Sequence, residues 1–110
     1  MSGGRMLDNA VFLRDGAQHV RVSVQEILYL EADDNSTRVH CEARAYVVGR
    51  MLKTVLDEIA CARLERIHRS YAVNMDRVQA ISDNGLHVGD RWLPIGRSYR
   101  PAVLQRLRMI

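Results

Sequence analysis

Short runs that alternate apolar and polar residues, each closed by turn-forming residues, recur along most of the chain. Alternation at a period of two puts one set of side chains on each face of a strand. Tight turns between such runs make neighbouring strands antiparallel. In His19–Val24, Val20, Val22 and Val24 share one face and Arg21 and Ser23 the other, and Asp15-Gly16 joins this run to Ala10–Arg14. Leu28–Ala32 makes a third run, which meets four turn formers, Asp33-Asp34-Asn35-Ser36, before Thr37–Cys41 alternates again and Ala45–Gly49 adds a fifth. Further on, Val78–Asp83, Asn84-Gly85 and Leu86–Gly89 carry the strongest hairpin signature, because Asn-Gly tolerates the positive φ of a type I′ turn. Gly89-Asp90-Arg91 then reverses the chain into Trp92–Ile95.

Two segments break this rhythm. Leu52, Val55, Leu56 and Ile59 follow the spacing of one helical face, with Lys53, Thr54, Asp57 and Glu58 opposite, which predicts a short amphipathic helix covering a sheet. Its outer face is mixed in sign, which argues against an exposed recognition helix. A final helix carries Val103, Leu104, Leu107 and Ile110, with Ser98 as its expected N-cap and Pro101 in its first turn. The chain is therefore expected to be mostly β, with elongated antiparallel sheets, one small amphipathic helix and a C-terminal helix. Residues 1–9 hold two glycines and no periodicity and read as a flexible terminus or linker; residues 10–110 read as one domain.

A chain of 110 residues can bury one core without disulfides or metal. Its apolar and charged fractions, 47% and 26%, are those of a globular protein. No run is long and apolar enough for a transmembrane helix or a signal-peptide core, so a cytoplasmic protein with no membrane contact is expected. Cys41 and Cys61 fit reduced structural thiols.

Charge is unevenly distributed. Residues 1–60 balance to −2 and residues 61–110 to +5, and every basic residue of the second part except its histidines is arginine. The planar guanidinium fork suits bidentate pairing with phosphate or a guanine edge. Within that half, Arg66–Asn74 gathers two arginines, a histidine, a serine, a tyrosine and an asparagine around Ile67, Ala72 and Val73. Such a stretch enters the core at Ile67, surfaces at a bend holding His68, Arg69, Ser70 and Tyr71, and returns at Val73. Gly96-Arg97-Ser98-Tyr99-Arg100-Pro101 is a second candidate, with Arg97 just ahead of a helix N-terminus, where an anion is favoured. The Asn35–Thr37 tip, with Arg38 behind it, is a third. Taken singly, each also fits a solvated turn or a capped helix.

Catalytic signatures are absent: the chain has no phosphate-binding glycine loop, no H-E-x-x-H and no G-x-S-x-G. His40, Cys41, Cys61 and His68 lack recognised metal-ligand spacing, and Asp33-Asp34 sits on a turn where adjacent side chains diverge. No enzyme activity, cofactor or metal is expected.

Three segments, Ile27-Leu28-Tyr29-Leu30-Glu31-Ala32-Asp33-Asp34-Asn35, Arg66-Ile67-His68-Arg69-Ser70-Tyr71-Ala72-Val73-Asn74 and Leu93-Pro94-Ile95-Gly96-Arg97-Ser98-Tyr99, resemble the signatures of the LytTR DNA-binding domain in order and spacing. The resemblance covers nearly all of residues 10–107. It implies a fold of about ten short strands in elongated antiparallel sheets, in a bacterial transcription factor that inserts loops into successive major grooves of double-stranded DNA. Carried over by position, the base contacts implied are Asn35, Ser36, Thr37, Arg69 and Arg97, and the phosphate contacts Arg38, His68, Ser70, Ser98 and Arg100. Gly96 and Ser36 depart from the family pattern, which usually has serine and often an aromatic there. The resemblance further implies direct repeats occupied by two copies, and a receiver domain or sensor partner as the source of the signal. The rival reading is a β-rich interaction module whose arginines meet an acidic signalling partner. Sequence preference on duplex DNA separates the two.

Overall fold

The computed structural model of the protein describes residues 10–110. The terminus or linker expected over residues 1–9 lies outside the described residues. Ten strands form three antiparallel sheets. β1 (Ala10–Asp15) and β2 (Gln18–Ser23) make a hairpin. β3 (Ile27–Asp33), β4 (Ser36–Cys41), β5 (Ala45–Val48), β6 (Leu64–His68) and β7 (Tyr71–Asn74) form a five-stranded sheet in the order β5-β4-β3-β7-β6. β8 (Val78–Ile81), β9 (Gly85–Val88) and β10 (Arg91–Pro94) form a meander. Helix α1 (Leu52–Ile59) links β5 to β6, and a 3-10 turn over Arg97–Tyr99 leads into α2 (Arg100–Gln105).

Tight turns set the pairing. Asp15 pairs with Gln18 and Val88 with Arg91, and each two-residue loop begins with a glycine at positive φ, 68° at Gly16 and 60° at Gly89. Asp33 pairs with Ser36 across Asp34-Asn35, and Asp34 itself takes φ 61°, a conformation its short polar side chain tolerates.

The period-two alternation sorts the five-stranded sheet onto two cores. Leu30, Val39 and Ala72 face Leu52 and Val55 of α1 and Leu13 and Val22 of the β1–β2 hairpin. Tyr29, Val73 and Ile67 face Leu86, Val88 and Leu93 of the meander and Val103 of α2. Neither outer layer could bury its apolar side alone, so the central sheet organises both. A fully buried valine, leucine or isoleucine among these contributes about 1.5–3 kcal/mol by leaving water.

Three expectations need correction. Asn84-Gly85 is not a type I′ turn: Ile81 pairs with Leu86, the N–H of Ser82 donates to the carbonyl of Gly85 (2.8 Å), and Gly85 is a buried strand residue without positive φ. Glycine is required there by close approach, since a Cβ would lie 2.4 Å from the Trp92 ring and 2.5 Å from the Leu93 carbonyl oxygen. Ser98 does not cap the last helix; it lies inside the 3-10 turn, whose cap position is Gly96, while Tyr99 precedes α2. Nor does that helix reach Ile110: it ends at Gln105, and Ile110 is exposed.

Candidate nucleic-acid interface

β3 is the middle strand, and both its neighbours run antiparallel to it. Its C-terminal end therefore lies beside the start of β4 and the start of β7. The Asp33–Ser36 turn and the β6–β7 bend consequently share one edge of the sheet, and the N–H of Ala32 ties them by donating to the carbonyl of Ser70 (2.8 Å). The third connector arrives from a different sheet. A bulge between Arg66 and His68 leaves Ile67 outside the strand pairing with β7. The Ile67 side chain is wholly buried, and its carbonyl accepts a bond from the N–H of Gly96 (2.7 Å). The residue next to Arg97 is thus joined directly to the strand that ends beside Arg69. Bulges of this kind re-aim a strand end at functional edges.

The bend itself is closely tied. Arg66 donates from Nε to the His68 carbonyl (2.9 Å) and from Nη2 to the Arg69 carbonyl. The Ser70 N–H donates to His68 Nδ1 (3.0 Å), which makes that nitrogen the acceptor. The His68 and Tyr71 rings lie 5.7 Å apart. Tyr71 in turn neighbours Tyr29, which stacks on His40 at 4.1 Å, and His40 Nε2 meets Glu31 at 2.9 Å. Burial pushes the Tyr29 hydroxyl pKa upward, the Arg91 guanidinium opposing it.

The candidate arginines divide by their partners. Arg69 and Arg97 are exposed, and among the described residues no carboxylate pairs with either. Arg38 instead pairs with Asp33 at 3.2 Å, and Arg100 with Asp83 at 3.0 Å. Asn35 is exposed at the turn, Ser36 half-buried, Ser98 exposed and Ser70 half-buried. Thr37 does not project from the tip as expected: it is fully buried, and its hydroxyl donates to the carbonyl of Arg50 (2.7 Å). Its role is to fasten the start of β4 to the β5–α1 connection.

Two residues inside the middle signature have roles that local pattern did not reveal. One is Arg66, whose guanidinium faces the bend's own carbonyls. The other is Asn74, 1% exposed, which donates to the Ile27 carbonyl (2.9 Å) and accepts from the Asp76 N–H (3.0 Å). An asparagine followed by Met-Asp is the signal that could have marked the second, since a side-chain oxygen two residues before an N–H is a turn-capping geometry.

A family model, the LytTr DNA-binding domain, matches residues 17–108. A solved structure described as the LytTr DNA-binding domain of a response regulator from Bacillus cereus superposes with a TM-score of 0.74 at 22% identity, covering 88% of this chain and 94% of that one. A comparison with curated proteins returned no match. The chain belongs to the LytTR family of DNA-binding domains, and with that membership go DNA binding and transcription regulation. The family is one of DNA-binding domains and not of enzymes. Among the described residues no helix is long and apolar enough to cross a membrane.

Proposed function

We propose that the chain binds double-stranded DNA with sequence preference through the edge formed by the Asp33–Ser36 turn, the His68–Ser70 bend and the Gly96–Ser98 connector. Arg69 and Arg97 read guanine edges in the major groove, and Asn35 and Ser36 contribute at the flanking turn. Arg38, His68, Ser70, Ser98 and Arg100 set position on the phosphate backbone. Thr37 supports the turn from beneath and touches no base. One observation carries this reading: Arg69 and Arg97, both exposed and, among the described residues, without a carboxylate partner, sit on connectors joined through the Ala32–Ser70 and Gly96–Ile67 hydrogen bonds.

On this reading the protein is a bacterial transcription regulator acting in the cytoplasm. Two copies occupy direct repeats, and a receiver domain or sensor partner supplies the signal. Selecting bound duplexes from a random pool and sequencing them tests it. Enrichment of a defined motif supports the reading; a pool that stays random while an acidic protein competes for the same arginines would transfer the site to the interaction-module class.

A further inference from the structure

We infer that Arg66 is the positioning residue that aims Arg69 at DNA, an inference resting on the reading of Arg69 as a base contact. The two peptide planes that flank the Arg69 Cα end in the carbonyls of His68 and Arg69. Arg66 holds both, through Nε to the first and Nη2 to the second. Because peptide units are planar, holding both planes fixes the φ and ψ of Arg69 and so the direction in which its side chain leaves the backbone. The planar fork is what allows one side chain to do this; a lysine ammonium is a point donor on a flexible stem. Arg66 is itself half-buried against the bend, and among the described residues no carboxylate pairs with it. The Ser70 N–H, in the second of these planes, also donates to His68 Nδ1, while Ser70 O accepts from Ala32 and Ile67 O from Gly96. Among the described residues, Arg66 is the side chain that bonds the carbonyls of both planes.

The test compares Arg66→Lys, which keeps the charge, with Arg66→Ala and Arg69→Ala on the selected duplex and on a scrambled one. Arg66→Lys is expected to lower the cognate-to-scrambled affinity ratio about tenfold, in the range of one bidentate base contact. Its salt slope is expected to match that of the unaltered protein on both duplexes, and amide exchange at Arg69 and Ser70 to quicken in the free protein. Arg66→Ala is expected to show the same loss of ratio. Equal loss on both duplexes, with a salt slope flattened by about one counterion in Arg66→Ala, would make Arg66 a phosphate contact and overturn the inference. So would an unchanged ratio in Arg66→Lys when Arg69→Ala loses preference. If Arg69→Ala itself keeps its preference, the base-contact reading of Arg69 falls and the inference falls with it; that failure is recognised in the Arg69 variant and not in the Arg66 ones.

Discussion

At the scale of single residues, the edge separates side chains proposed to meet DNA from side chains that hold others in place. Arg97, exposed and without a carboxylate partner, is expected on replacement by alanine to lose about 1–3 kcal/mol of discrimination while retaining most affinity for scrambled duplex. A mobility-shift series with equal loss on both would reassign it to the backbone. Thr37→Val should do the opposite. Removing the hydroxyl leaves the Arg50 carbonyl without its donor, so stability falls by about 1–3 kcal/mol in a denaturant titration while the cognate-to-scrambled ratio stays unchanged. Thr37 was legible in part: counting by twos from Val39 puts it on the core face, and only the turn-forming residues before it suggested an exposed tip. Arg66 was not legible, because nothing in an arginine two positions before a histidine says whether its fork faces solvent or the carbonyls ahead of it.

At the scale of elements, the meander shows how one local signal serves two physical ends. Asn84-Gly85 reads as a positive-φ turn, yet Gly85 is needed because the Trp92 ring lies where its Cβ would be. Gly85→Ala should therefore displace Trp92, the single tryptophan of the chain, shifting its fluorescence and lowering the melting temperature. An unshifted emission spectrum would show that the strand pair relaxes without moving the ring. The connection of the meander to α2 holds a second device. Asp83, on the loop before β9, pairs with Arg100 at the start of α2. Asp83→Asn should free the guanidinium and strengthen binding to cognate and scrambled duplex alike, by less than about tenfold as befits an exposed pair. No change on either duplex would remove Arg100 from the backbone contacts.

At the scale of the whole molecule, the central sheet keeps one core on each face, and its ionisable groups report on folding. Burial holds the Cys41 thiol pKa at about 11, above its ordinary 9.0. Between those values the unfolded chain has released a proton that the folded chain keeps, so stability falls as pH rises from 9 toward 11. Burial of Tyr29 acts in the same direction above 10.0. Denaturant midpoints measured across this range should decline, and more shallowly in Cys41→Ala; an equal decline in both would remove Cys41 as a cause.

Strand identity, three of the tight turns, the amphipathic helix and the family signatures were all present in the order of residues, because each depends on neighbours a few positions away. Which arginines stand free, which hydroxyl is buried and why Gly85 is glycine were settled by the folded molecule alone. These depend on partners brought close from distant segments: Arg50 beneath Thr37, Asp83 beside Arg100, Trp92 over Gly85, and Gly96 beside Ile67. A hydrogen bond or a close contact is satisfied by whatever lies within a few ångströms, and only the packing of the sheets decides what that is.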